Sequence, residues 1–156
     1  GHAFAKAYLA ASVKLPRAGK VFVSVKNADK RAIIAEARTL ASLGYELVAT
    51  EGTYRALKAA GIAVTRVNKV HEGRPHVVDM IKNREIALVL NTPYGKQQRI
   101  DDSMIRASSV TAAVPCITTR AGISAVVCAL TALHRSDWTV RSIQEHQSFR
   151  KLPAHA

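Results

Sequence analysis

Disulfide scaffolds, base-stacking surfaces and membrane spans all need residues that this chain has little of. Its 156 residues include two cysteines, Cys116 and Cys128. Both fall in apolar runs, where thiols are usually core filler rather than a disulfide or a metal site, and they predict an intracellular, reducing compartment. Aromatics are 5% of residues, too few for a stacking platform, and the basic residues are scattered with no nucleic-acid-binding motif, which disfavours that partner class. No apolar run approaches a membrane span and no signal-peptide pattern opens the sequence, while Gly1-His2 reads as an expression remnant. The Gly-x-Ser-x-Gly elbow, the P-loop and Gly-x-Gly-x-x-Gly are missing, and His71 and His76 lack the spacing of a helical zinc pair. Asp101 and Asp102 read as caps that complement a helix dipole. Acidic residues are also short, 11 Asp and Glu against 23 Lys and Arg, and the formal charge of +12 favours a small anionic ligand such as a phosphate.

What is there centres on residues 46–60. Glu46-Leu47-Val48-Ala49 reads as a buried strand, Thr50-Glu51-Gly52-Thr53 as a turn, and Tyr54 to Ala60 as a helix. Two hydroxyls, a glycine that admits close approach and the unpaired first amides of a helix form a combination that attracts an anion. Taken singly, one of the two threonines could be no more than the helix cap.

The same alternation runs along the chain. A short helix at 3–14, carrying Phe4, Ala7, Tyr8 and Ala11, ends at Pro16 and Gly19. A strand at 20–25 leads through Asn27 or Asp29, as cap, into a helix at 30–43 with Ile33, Ala37 and Leu40 on one face. Gly44 and Gly61 fit the left-handed position that closes a helix. Further strands are expected at 64–67, 86–90 and 114–117, and further helices at 75–83 with Pro75 in the first turn, at 102–113 and at 121–133. The last of these, with small apolar residues all round, reads as buried; Ser142-Ile143-Gln144-Glu145 reads as a capping box.

Five strands alternating with helices predict an α/β fold: a five-stranded parallel sheet with helices on both faces, a three-layer, doubly wound domain. Ligands of such sheets bind at the carboxyl ends of the strands. That rule gathers Ser24 and Lys30, Thr50 and Thr53, Lys69, Asn91 and Thr92, and Thr118 and Thr119 at one crest, with donors and ammoniums but no evident nucleophile and base. Alone, Lys30 and Lys69 would read as solvated charges and Asn91-Thr92-Pro93 as a turn.

Together Ser24-Val25, Asp29-Lys30, Ala49 to Thr53, Ala60-Gly61-Ile62, the run Val67-Asn68-Lys69-Val70-His71-Glu72-Gly73-Arg74-Pro75-His76, Asn91-Thr92-Pro93, Asp102-Ser103 with Ile105-Arg106, and Pro115 to Thr119 resemble the carboxyl-terminal regulatory domain of carbamoyl phosphate synthetase large subunits, in the methylglyoxal-synthase-like superfamily. The resemblance covers residues 19–147. It implies that residues 1–18 end a preceding synthetase unit and its linker, and that 148–156 are a tail. It also implies a nucleotide monophosphate effector, UMP or IMP. Lys30, Thr50, Thr53, Lys69, Asn91 and Thr92 would hold its phosphate, with Ser24, Gly52 and Val70 near the ribose or base.

No catalysis and no cofactor are implied for this domain, and carbamoyl phosphate formation, with ATP and Mg or Mn, would reside elsewhere in the parent enzyme. Implied partners are the rest of the large subunit and through it the glutaminase small subunit, with ornithine near the domain boundary, all in the cytoplasm and serving pyrimidine and arginine synthesis. Two departures bear on effector identity: Ala107 stands where a second arginine is common, and Pro93, which has no donor, where a hydroxyl can join the phosphate set. The alternatives are a methylglyoxal-synthase-type lyase, which would need a Gly-Gly-Asp carboxylate where this chain has Asn91-Thr92-Pro93-Tyr94, and the related cyclohydrolase domain of purine synthesis, whose extended substrate loops are missing.

Overall fold

The computed structural model describes residues 1–92, 99–135, 142 and 144–145. Pro93 and the expected tail at 148–156 lie outside them. The described chain runs α1 (His2–Ala10), β1 (Lys20–Ser24), α2 (Lys30–Ser42), β2 (Glu46–Ala49), α3 (Glu51–Ala59), β3 (Thr65–Arg66), α4 (Val77–Lys82), β4 (Ile86–Asn91), α5 (Arg99–Thr111), β5 (Cys116–Ile117) and α6 (Arg120–Arg135). All strand pairs are parallel, in the order β3-β2-β1-β4-β5. The chain leaves β1 in one direction, then returns to its other side, so the topological switch point lies between β1 and β4.

Alternation along the strands builds the layers. Val21, Val23, Leu47, Ala49, Leu88 and Leu90 face a core completed by Ile33, Ala37 and Leu40 of α2, Leu57 of α3 and Ile123, Val126 and Leu130 of α6. Phe22, Val48 and Val89 point the other way, onto Val77, Val78 and Ile81 of α4 and Ile105 of α5. Both faces are therefore covered, which is why the strands read as near-continuous apolar runs. Helix α1 packs on α6 through Ala5, Ala129 and Leu133, and Tyr45 donates its hydroxyl to Pro16 O at 2.6 Å, tying the segment before β1 to the body. Burial pushes the Tyr45 hydroxyl up to about 12.

Several local expectations change. The strands around 64–67 and 114–117 shorten to Thr65–Arg66 and Cys116–Ile117 at the sheet's two edges, where a strand has only one partner. A 3₁₀ turn, Asn27–Asp29, leads into α2, and neither Asn27 nor Asp29 caps it with a side-chain hydrogen bond. Helix α4 starts after Pro75, not on it: His76 caps the helix, its Nδ1 accepting from Asp79 N at 3.4 Å while Asp79 Oδ2 accepts from His76 N at 3.1 Å. Cys128 is exposed, because α6 buries one stripe and turns the opposite side to solvent. Cys116 is half-buried on the edge strand, where burial pushes its thiol up. The box at Ser142 forms: Glu145 Oε2 accepts from Ser142 N at 2.6 Å and Ser142 Oγ from Glu145 N at 3.2 Å.

Gly44 and Gly61 close α2 and α3 with φ of 87° and 73°. Ser12, Arg84 and Ala113 do the same work after α1, α4 and α5 with φ of 59°, 59° and 56°, positions the sequence does not mark with glycine.

Candidate functional site

The carboxyl ends of β1, β2 and β4 open onto one cavity of about 110 Å3. It is lined by Ser24, Lys30, Thr50, Gly52, Thr53, Lys69, Asn91, Thr92 and Asp102, together with Val25, Asn27 and Lys26, whose ammonium pairs with Asp29 at 4.0 Å. All six residues expected to hold a phosphate thus meet, with Ser24 and Gly52 beside them. Val70, in the 3₁₀ turn Val70–Glu72, lines an adjoining narrow cleft with Lys69, Asp101 and Asp102.

The hydroxyls are oriented before any ligand arrives. Thr53 Oγ1 accepts from Val25 N at 3.2 Å and Thr92 Oγ1 from Lys26 N at 3.1 Å. A hydroxyl that accepts from an amide keeps its own hydrogen for a ligand. Ser24 Oγ and Thr50 Oγ1 lie 3.1 Å apart; one donates to the other, which leaves one hydrogen of the pair free. Thr50 sits at the N-cap of α3 without capping it, and Thr53 turns its oxygen to β1, so neither is merely a cap. The amides of Glu51 and Gly52 make no hydrogen bond among the described residues, so the helix start keeps its free donors and positive potential.

Two ammoniums complete the crest. Lys30, first residue of α2, and Lys69 are half-buried and in no ion pair among the described residues. Lys30 Nζ lies over Gly52, where a Cβ would come within 2.6 Å of it; the glycine leaves that space to the ammonium. Lys69 stands on a loop clipped at its base by the bridge between Asn68 and His76, with Glu72 Oε2 accepting from Lys69 N at 3.0 Å. Nearby Glu51 is turned away onto Arg55 and Arg66.

The sequence reading missed one member and misplaced others. Asp101 and Asp102, read as caps, lie in the first turn of α5, but their carboxylates serve the crest. Asp101 Oδ2 is 2.7 Å from His71 Nδ1, and Asp102 Oδ1 accepts from Asn91 Nδ2 at 2.9 Å in a buried bond. The signal that could have found Asp102 was an acid next to a helix start whose strand ends in Asn91. Thr118 and Thr119 are not brought in: Thr119 Oγ1 accepts from Gly122 N at 3.1 Å, at the start of α6, and Thr118 faces a separate groove with Cys116 and Arg106.

Comparison with known proteins fits this architecture. The MGS-like domain family matches residues 32–118. The carbamoyl phosphate synthase large chain of Rhodopirellula baltica is 48% identical over 91% of this chain, and that of Nostoc sp. 44% identical over 94%. The chain spans only 13% of the length of either relative. Among solved structures, methylglyoxal synthase from Elizabethkingia anophelis superposes with a TM-score of 0.60 over 91% of this chain and 97% of that one at 16% identity, a likeness of fold alone. With a five-stranded parallel sheet, helices on both faces and more than half its length matched, the chain belongs to the MGS-like domain family.

Proposed function

We propose that this chain is the regulatory domain of a glutamine-hydrolysing carbamoyl phosphate synthase large chain, and that its crest binds the phosphate of a nucleotide monophosphate effector, UMP or IMP. One observation carries the reading: donors from three strand ends and the ammoniums of Lys30 and Lys69, which form no ion pair among the described residues, converge on a single small cavity at the start of α3. Lys30, Thr50, Thr53, Lys69, Asn91 and Thr92 take the phosphoryl oxygens, and Ser24, Gly52 and Val70 lie toward the ribose and base.

The fragment itself is regulatory, and ATP chemistry belongs to the rest of the large chain, which with the glutaminase small subunit and ornithine near the domain boundary makes up its cytoplasmic partners. Residues 1–18 are the end of the preceding unit and its linker. No helix among the described residues is long and apolar enough to cross a membrane. An effector would act by binding one conformation of the whole enzyme better than another.

Calorimetric titration with UMP and with IMP tests the reading. Saturable binding that Lys69→Ala markedly weakens is the expected result; no binding of either nucleotide would end the effector assignment. A second reading, a lyase acting on dihydroxyacetone phosphate, draws on one observation, the buried Asp102 carboxylate inside the cavity. Absence of methylglyoxal from a sensitive assay on that substrate would dispose of it.

A further inference from the structure

A crest made to bind an anion has a carboxylate in its wall. Asp102 is 9% exposed and lines both the crest cavity and the cleft behind it. Its Oδ1 accepts from Asn91, whereas its Oδ2 is buried and has no donor among the described residues. Around it are Lys30 of α2, Lys26 at the exit of β1, Lys69 of the clipped loop and Asp101 of its own helix, with His71 on Asp101; Cys116 of β5 senses its charge and that of Arg106.

We propose that Asp102 makes the crest select an oxyanion that carries its own proton, so that a phosphoryl group is bound as P–O–H and a fully deprotonated anion of the same shape is rejected. This rests on the crest being the anion site. Against sulfate, Asp102 sets lone pair against lone pair and like charge against like charge. Against a phosphoryl group bearing a proton, the Asp102 carboxylate, one oxygen of which has no donor within the fold, accepts a hydrogen bond. A buried acceptor left without a donor is costly, and bonds to charged groups are the stronger ones. The ammoniums supply affinity for either anion, and Asp102 supplies the choice.

Inorganic phosphate and sulfate are the probes, titrated calorimetrically into the 156-residue chain at constant ionic strength. Phosphate should bind roughly ten- to a hundredfold more tightly than sulfate, the range of one charge-assisted hydrogen bond. In Asp102→Asn, whose amide can donate, the ratio should fall to within about threefold, mainly through a gain in sulfate affinity. A wild-type ratio near one, or an unchanged ratio in Asp102→Asn, overturns the inference. If both anions bind equally and Lys69→Ala abolishes both, the crest reading stands while the role of Asp102 falls; if neither binds, both fall.

One further measurement does not depend on the variant folding. Methyl phosphate, with a second pKa of about 6, should take up most of one proton per site on binding at neutral pH, read from heats in buffers of different ionisation enthalpy. Binding with no proton uptake overturns the inference.

Discussion

Between α2 and α6, Glu36 has a cationic partner in Arg120; at the crest, Lys30 and Lys69 have no ion pair among the described residues. Glu36 Oε1 takes hydrogen bonds from Arg120 Nη2 and from Ser124 Oγ at 2.8 Å, and Arg120 Nη1 reaches Ser124 at 2.7 Å. Burial opposes ionisation of Glu36, but the Ser124 and Arg120 hydrogen bonds outweigh it and hold the carboxyl below the usual glutamate range. That cluster joins two helices on one face of the sheet, and its charges cancel locally. At the crest, among the described residues, Lys30 and Lys69 form no ion pair and the amides of Glu51 and Gly52 make no hydrogen bond. Each region also holds one buried carboxylate oxygen without a donor, on Glu36 and on Asp102, so the difference lies in the cations: Arg120 is spent within the fold, and Lys30 and Lys69 are left for a ligand.

Substitutions in the two places should therefore separate binding from stability. Lys69→Ala should weaken nucleotide binding roughly ten- to a hundredfold, while its denaturation midpoint stays within the error of an exposed-residue change, because no ion pair is lost. A large stability loss would mean that Lys69 is structural and the contrast false. Arg120→Ala should do the reverse, costing about 2 kcal/mol in urea unfolding with nucleotide affinity unchanged. Glu36 sharpens the point through pH. Its folded carboxyl titrates below the unfolded one, so its contribution is present at neutral pH and is lost as pH falls through the folded value. Below roughly pH 4 the wild type should lose stability more steeply than Arg120→Ala; parallel acid profiles would remove the pair from the account.

Gly52→Ala tests the crest more gently. The added methyl displaces the Lys30 ammonium from 2.6 Å and should weaken phosphate binding a few-fold, while thermal stability holds or rises because alanine suits a helix better. Unchanged binding would take Lys30 out of the site. The smallest effect is expected far from both regions. Arg84→Gly relieves a left-handed residue at φ of 59° after α4 and should stabilise the chain by about 0.5 kcal/mol, the strain relieved less the entropy glycine loses on folding.

Much of this molecule was legible before folding. Val21 to Ser24, Leu47 to Ala49 and Ile86 to Leu90 announce buried strands by composition, and Ile33, Ala37 and Leu40 announce the inner face of α2, all as found. The strand-end rule gathered nine residues, of which seven line one cavity and Thr118 and Thr119 do not; of the two that the resemblance added, Gly52 lines the same cavity and Val70 the cleft next to it. Edge strands were overestimated because β-branched composition does not report how many neighbours a strand has. Cys128 was misjudged because apolar neighbours in sequence need not share a helix face. Asp101 and Asp102 stand in the first turn of α5, as the dipole reading expects, but their bonds to His71 and Asn91 were not legible, because a carboxylate near a helix start looks alike whether or not it also faces a neighbouring element.

The sequence by itself determined the alternation of strands and helices, the glycine-marked ends of α2 and α3, and the supply of donors and cations at the strand ends, since these follow from local propensity and periodicity. Only the tertiary structure decided which donors stay free. Thr53 and Thr92 spend their lone pairs on backbone amides of the β1 exit, Asn91 spends an amide hydrogen on Asp102, and Lys30 rests over Gly52. Each of these pairings spans between 11 and 66 residues of chain or joins separate elements at the sheet's crest, and hydrogen-bond satisfaction is settled by what the fold brings within about 3 Å, not by what is near in sequence.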